Sequence, residues 1–323
     1  MTGPVETVPP LARSTLDRAA HRRSDHGWLA DAWARSRVLL VDIANGGQAL
    51  IGPAPTAGTA AASDPPRLVL LGPDAVADGE PPQRLFLGVE PDGVPVFAVF
   101  APLPAIPGAR ATTLREVGHL LDDRDAGLFT TAVALANWHA LHTYSSRNGL
   151  PTTVSDGGWT RLDGTGRQIW PRTDPAMIVL INDGVPGVDG RCLLGNNAAW
   201  LPKGGGRRFS CLAGYVEPGE SVEAAVVREV DEEVGLAIHQ IEYAGSQAWP
   251  FPSSLMLGFL ARADPDLPVR LDPVEIAAAR WFTRREVAAA VAGESVPVGE
   301  GLRLLLPPPS SIAFFLINQW LSG

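Results

Sequence analysis

Between Gly214 and Leu236 the chain carries Glu220, Arg228, Glu229, Glu232 and Glu233 in one short stretch, GYVEPGESVEAAVVREVDEEVGL. Ser221 is suited to cap the start of a helix and Gly235 to end it. At about 100° per residue, Glu229, Glu232 and Glu233 fall on one stripe. Val227, Val230 and Val234 fall on an adjacent stripe able to bury against a sheet. Carboxylates crowded on one helix face repel one another. Binding a hard divalent cation relieves that repulsion, and Mg²⁺ takes carboxylate oxygens while keeping water and phosphate as its other ligands. Such a cation screens phosphate charge and activates a water. From spacing alone, a solvated acidic face stands as the alternative.

A second stretch, Ser246-Gln247-Ala248-Trp249-Pro250-Phe251-Pro252-Ser253-Ser254, sets a hydroxyl and an amide beside aromatic faces in a proline-stiffened loop. That chemistry suits a flat polar ring such as nicotinamide or adenine. An edge loop with two core aromatics is the plainer reading. A third stretch, Lys203 to Arg208 with glycines at 204–206, is a flexible basic loop, either a local phosphate-binding surface or ordinary solvent-exposed chain.

The elements that must position these residues follow from pattern. Residues 177–181 (MIVLI), 191–194 and 214–216 read as strands, 221–234 as the helix, and 249–260 as a further strand. Residues 274–281 continue the pattern, 284–291 are helical, and 312–321 form an apolar helix after Pro307-Pro308-Pro309. Upstream, residues 37–43, 67–71 and 94–100 read as strands, and 53–66 and Pro81-Pro82 as loops or turns. Residues 125–142 carry Leu128, Phe129, Ala132, Leu135, Ala136 and His139 at helical spacing. The chain thus divides into a β-rich region 1–110, a helix and irregular connector 111–175, and a mixed α/β region 176–323.

With 323 residues, more than one domain is expected. Hydrophobic residues at 46% and charged residues at 19% exclude disorder along the whole length. A net charge of −9 argues against a general nucleic-acid-binding surface and leaves room only for a local basic one. Two cysteines, Cys192 and Cys211, point to a reduced, cytoplasmic protein. The first residues lack a basic segment followed by an apolar run, so no signal peptide is expected, and no apolar run is long enough for a membrane span.

The first stretch resembles the Nudix box, G-x5-E-x7-R-E-U-x-E-E-x-G-U, at every fixed position: Gly214, Glu220, Arg228, Glu229, Val230, Glu232, Glu233, Gly235 and Leu236. The second resembles SQPWPFPxS, the segment that marks NADH pyrophosphatases within that superfamily, with Ala248 in place of a proline. Asn137-Trp138-His139, residues 171–175 and residues 307–313 also look like this family. The resemblance is strong from residue 137 to 321 and weak over the N-terminal third.

It implies a Nudix α/β/α sandwich preceded by a smaller β-rich domain. It implies hydrolysis of NADH or NAD⁺ at the pyrophosphate to NMNH or NMN and AMP, extending to NAD-capped RNA. It implies Mg²⁺ or Mn²⁺ held by Glu229 and Glu233, with Glu232 as further ligand or base, and Glu275 as ligand or base. Glu220 and Arg228 become a pair that fixes the loop to the helix. Tyr215, Ser246, Gln247, Trp249, Phe251, Ser254 and Ala313 become substrate-binding residues, with Trp170 supplied across a homodimer. The alternatives are a Nudix pyrophosphatase of another dinucleotide (ADP-ribose, diadenosine polyphosphate or coenzyme A) and an inactive dinucleotide-binding module. The intact Glu229, Glu232 and Glu233 speak against the last.

Many members of the family carry a four-cysteine zinc ribbon in the connector. Aligned on Gly149, Gly158-Trp159 and Gly166-Arg167, this chain has Ser145, Asn148, Leu162 and Thr165 at those places. His139 and His142 lie nearby but do not complete a closed site. Tetrahedral zinc needs Cys or His ligands, so no structural zinc is expected. Packing of Trp159 and Trp170, with hydrogen bonds, should hold the connector instead.

Overall fold

The computed structural model describes residues 7–52, 65–76 and 83–323. Nearly all of the expected loop 53–66, and all of Pro81-Pro82, lie outside the described residues. Two compact units result. One comprises Leu11–Thr173 and Ala248–Ser253; the other comprises Met1–Pro10, Asp174–Gln247 and Ser254–Gly323.

The first unit runs α1 (His26–Trp33), β1 (Arg37–Val41), β2 (Gln48–Gly52), β3 (Arg67–Leu68), β4 (Arg84–Val89), β5 (Pro95–Phe100), β6 (Arg110–Thr113), α2 (Leu114–Val117) and α3 (Asp123–Leu141). These strands form two three-stranded sheets, β1-β5-β4 and β3-β2-β6. The pair β1–β5 is parallel and the other pairs are antiparallel. Leu128, Phe129, Ala132 and Leu135 of α3 pack into one core with Leu39, Val41, Leu85 and Ala98. The helical spacing in the sequence thus marks a face buried against both sheets. Asp122 caps α3 by accepting from the Asp125 amide, and the buried Asp125 carboxylate accepts from the Leu68 amide of β3 at 2.8 Å.

The connector is more regular than its composition suggests. Strands β7 (Thr153–Ser155), β8 (Thr160–Leu162) and β9 (Gln168–Ile169) form an antiparallel meander. Trp159 packs against the core of its unit and donates its indole N–H to the Phe86 carbonyl at 2.7 Å. Trp170 does not take the packing role expected of it, being 63% exposed. Polar groups do more of the work. The Asp163 carboxylate accepts from the Thr165 hydroxyl at 2.6 Å, the Thr165 and Arg167 amides, and the Asn148 side-chain amide at 3.2 Å. Two of the four positions aligned with zinc ligands, Asn148 and Thr165, therefore meet at one carboxylate.

The second unit runs β10 (Asp174–Asn182), β11 (Arg191–Asn197), β12 (Gly206–Arg208), β13 (Leu212–Tyr215), α4 (Val222–Val234), β14 (His239–Trp249), β15 (Ser254–Arg262), β16 (Ile276–Thr283), α5 (Arg284–Val291), β17 (Arg303–Leu305) and α6 (Ile312–Ser322). Its main sheet has the order β14-β15-β10-β11-β16, with β13 sharing the edge of β10 that meets β11. Side chains alternate across a strand. Accordingly Met177, Val179 and Ile181 of β10 join the core under α4, while Ile178 and Leu180 join the core under α5 and α6. Helix, sheet, helix is the sandwich that the resemblance implies.

Two expectations fail locally. Val227 is exposed, and Val226 takes its place in the core with Ala225, Val230 and Val234. Position 227 lies roughly 20° beyond Val234 at the edge of the buried arc, and Glu229 and Glu233 lie inside it, both buried. Strand β14 is absent from the sequence reading because most of its residues are exposed or half-buried, leaving no apolar alternation to see.

Candidate active site

Helix α4 supplies most of the site. The Ser221 hydroxyl accepts from the Ala224 amide, and Gly235 ends the helix with φ at 65°, a left-handed conformation that favours glycine. Burial of Val226, Val230 and Val234 contributes about 1.5–3 kcal/mol each and fixes the rotation of the helix. That rotation sets Glu229 and Glu233 against the sheet. Gly214 of β13 stands opposite, and a Cβ there would overlap the Glu229 carboxylate.

Arg228 gathers the acids. It donates to Glu220 at 2.6 and 3.2 Å, to Glu229 at 3.0 Å, to Glu232 at 2.9 Å and to the Tyr215 carbonyl at 3.0 Å. The hydrogen bond to Glu220, first among these, raises the affinity of Arg228 for its proton, and the same bond holds the Glu220 carboxyl below its usual range. A planar guanidinium with five donors serves several acceptors at once, which an ammonium on a flexible stem does less well. Glu220 also accepts from the Glu217 amide at 2.8 Å, so the loop entering α4 is closed at both ends.

Glu275 arrives from the other side. The Arg270 amide donates to the Val234 carbonyl at 2.8 Å and the Asp272 amide to the Glu233 carbonyl at 3.1 Å. These bonds seat the approach to β16 on the last turn of α4. Glu275 is exposed, and its charge is felt at both Glu229 and Glu233.

Glu233 is the most perturbed acid. Only 3% of its surface is exposed, and its Oε2 atom makes no hydrogen bond. Burial pushes its pKa up to about 8, helped by the charges of Glu229, Glu275 and Glu232. Burial likewise raises Glu229, against the pull of Arg228. An orphaned buried carboxylate oxygen among three other acids is the donor set that a hard cation would satisfy. Arg228 pairs with Glu220, Glu229 and Glu232, and no three acidic, imidazole or thiol side chains among the described residues converge on one point.

The remaining candidates separate. The Tyr215 hydroxyl lies 3.2 Å from that of Ser254, and the Tyr215 ring is largely exposed. Gln247 is buried and donates its amide to the Ser310 carbonyl at 3.0 Å; Ser246 is half-buried one position earlier on β14. Ala313 is buried in the core beneath α6, where its carbonyl accepts from Cys211. Trp249, Phe251 and Trp170 belong to the first unit. There Trp249 and Phe251 meet edge to face at 5.0 Å, and Asn137 donates to the Pro250 carbonyl at 2.6 Å. Arg115 lies over the Phe251 ring at 4.0 Å, a contact invisible in the sequence because more than a hundred residues separate the partners.

Comparison with known proteins agrees with this geometry. The NUDIX domain model matches residues 171–298, and the model for the NADH pyrophosphatase-like rudimentary NUDIX domain matches residues 36–138. The NAD-capped RNA hydrolases NudC of Mycobacterium tuberculosis and Mycobacterium bovis are each 40% identical over 328 residues, covering 98% of this chain and 96% of the relative.

The chain belongs to the NADH pyrophosphatase family of Nudix hydrolases.

Another relative in this family is the mitochondrial NAD(P)H pyrophosphatase NUDT13 of Mus musculus, 38% identical over 219 residues, 66% of this chain and 60% of that one. The N-terminal match explains what sequence reading left open in a Nudix hydrolase of this kind: residues 36–138 are a rudimentary copy of the catalytic fold, not an unrelated leader. Nudix hydrolases generally use divalent metal ions. No helix among the described residues is long and apolar enough to cross a membrane.

Proposed function

We propose that this enzyme hydrolyses the pyrophosphate of NADH and NAD⁺, giving AMP with NMNH or NMN, and removes the same cap from NAD-capped RNA. Glu233 carries the reading: a buried, unpartnered carboxylate held among Glu229, Glu232 and Glu275, on a chain 40% identical to NAD-capped RNA hydrolases over nearly its whole length. Glu229 and Glu233 would hold Mg²⁺ or Mn²⁺, with Glu232 and Glu275 each as further ligand or base. Such an ion, when bound, neutralises pyrophosphate charge and acidifies a water.

The chain's own groups divide the remaining work. Glu232 and Glu275 are exposed, so they are the acids placed to take the proton of the attacking water. The water oxygen joins one phosphorus, the bridging P–O bond breaks, and the leaving phosphate keeps the electron pair. Tyr215 offers a face for a substrate ring, with Ser254 orienting its hydroxyl. Gln247 is buried and donates to the Ser310 carbonyl, so it acts by shaping the wall. Trp170 is exposed enough to serve a neighbouring subunit, which supports a homodimer; sedimentation velocity tests it. The two buried thiols fit a reducing cytoplasm.

The test is product analysis with NADH, NAD⁺, NAD-capped RNA, ADP-ribose, diadenosine polyphosphate and coenzyme A, with and without Mg²⁺ or Mn²⁺. AMP together with NMNH, formed only with metal, is the expected result. A strong preference for another dinucleotide would trace to Ala248 and reassign the substrate. Tight binding without turnover would make the chain a sensor.

A further inference from the structure

The adenosine of an NAD cap is also the first nucleotide of the RNA. The next nucleotide hangs from its ribose 3′-oxygen. The RNA body therefore leaves from the AMP side of the pyrophosphate and crosses protein surface beside the acids. That surface must tolerate polyanion on a chain of net charge −9.

One loop has the required chemistry. It follows β11, spans residues 198–205 and runs into β12, which ends at Arg208. The Ala198 amide donates to the carbonyl of Glu275 at 2.7 Å, so the loop is rooted one hydrogen bond from the acidic cluster. The Asn197 side chain accepts from the Ala199 amide at 2.9 Å, and the Trp200 amide donates to the Asn197 carbonyl at 2.9 Å. This turn fixes where Trp200 stands. At the far end, Asn196 donates to the Arg208 carbonyl at 2.8 Å and ties the loop shut. Trp200 and Leu201 are exposed, at 37% and 85%, and the Arg208 guanidinium lies 5.7 Å from the Trp200 ring centre. Arg207 is neutralised by Glu300 at 2.7 Å, whereas no carboxylate among the described residues pairs with Lys203 or Arg208. An aromatic face beside free cations is the arrangement that binds single-stranded nucleic acid, bases stacking on the ring and cations meeting phosphates.

We propose that this loop is the docking platform for the RNA body of an NAD-capped transcript, with Trp200 stacking a base beyond the cap and Lys203 and Arg208 meeting its phosphates. The inference rests on the decapping activity proposed above. Free NADH ends at the adenosine and does not reach the loop, so the loop discriminates between the two substrates.

The experiment compares wild type, Trp200→Ala and the double variant Lys203→Gln/Arg208→Gln on NADH and on a short NAD-capped oligonucleotide. With Trp200→Ala, kcat/KM for the capped RNA should fall roughly tenfold while that for NADH stays within about twofold. In the double variant, the decline of capped-RNA kcat/KM with salt should become shallower by about one unit of log–log slope. Equal losses on both substrates, or none on the capped RNA, would overturn the assignment, as would a wild type that cleaves NADH but not capped RNA. Equilibrium binding of an uncapped 5′-phosphorylated oligonucleotide needs no turnover. It separates failure of the loop from failure of the catalytic reading: weaker binding by Trp200→Ala supports the platform whatever the activity, and unchanged binding overturns it.

Discussion

The carboxylate of Glu229 fills the space that a side chain on Gly214 would occupy. β13 and α4 approach so closely at this point that only glycine leaves room for the acid. Gly214→Ala should therefore displace Glu229, lower kcat by about 10²-fold or more, as expected for loss of a positioned charge-stabilising group, and weaken Mn²⁺ binding. Isothermal titration with Mn²⁺ checks this directly; unchanged affinity would show that Glu229 does not hold the ion.

Glu233 separates function from folding. Its buried carboxyl, with its pKa pushed up to about 8, lacks a hydrogen-bond partner at Oε2. Glu233→Gln removes the ionisable group while keeping shape, so the metal-free protein should melt at an equal or higher temperature, with turnover reduced by roughly 10²–10³-fold. A fully active variant would remove the metal assignment.

Arg228 tests whether geometry or charge holds the acids. Arg228→Lys keeps the charge and loses the fork that reaches Glu220, Glu229, Glu232 and the Tyr215 carbonyl together. The expected outcome is a fall in kcat/KM and a higher Mg²⁺ concentration for half-maximal rate, read from metal titrations of the steady-state rate. Behaviour like wild type would mean that one positive charge is sufficient.

His139 gives the N-terminal unit a pH dependence. Arg161 can only donate, so its 2.9 Å bond makes His139 Nδ1 the acceptor and leaves Nε2–H to donate to the Gly158 carbonyl. Burial above all, with the neighbouring charges of Arg161 and His142, lowers its pKa from 6.5 to about 4, against the bond to Gly158. The rings of Trp138 and Phe100 complete its surroundings. Between pH 4 and 6.5 the unfolded chain binds more protons, so stability rises with pH across that window and is fully present above it. The contribution is about 3 kcal/mol and is lost as pH falls toward 4. Urea midpoints at several pH values check this; His139→Gln should flatten the slope.

Asp163 should act as the connector's cross-link. Asp163→Ala removes the acceptor for Asn148, Thr165 and Arg167 and should lower the melting temperature. Asp163→Asn keeps an acceptor for Thr165 and loses the bond from Asn148, so it should fall between. EDTA should leave the wild-type melting temperature of this unit unchanged, and stoichiometric zinc in purified protein would contradict the account.

The local sequence determines α4 and its ends, the acids it carries and the alternation along β10. Each depends on neighbours within a few turns, where helical and strand periodicity bring residues together. The tertiary structure decides which of those acids are buried. It does so by rotating α4 on Val226 in place of Val227, an angular choice made by the facing sheet. It alone seats Glu275 on the end of α4 and Ala198 on Glu275, since both contacts join segments that are remote in sequence. It also divides the SQAWPFPSS stretch between two units, leaving Gln247 in one and Trp249 and Phe251 in the other. Strand β14 and the Asp163 cross-link left no mark in hydrophobic pattern because backbone pairing and carboxylate hydrogen bonds hold them, not apolar burial.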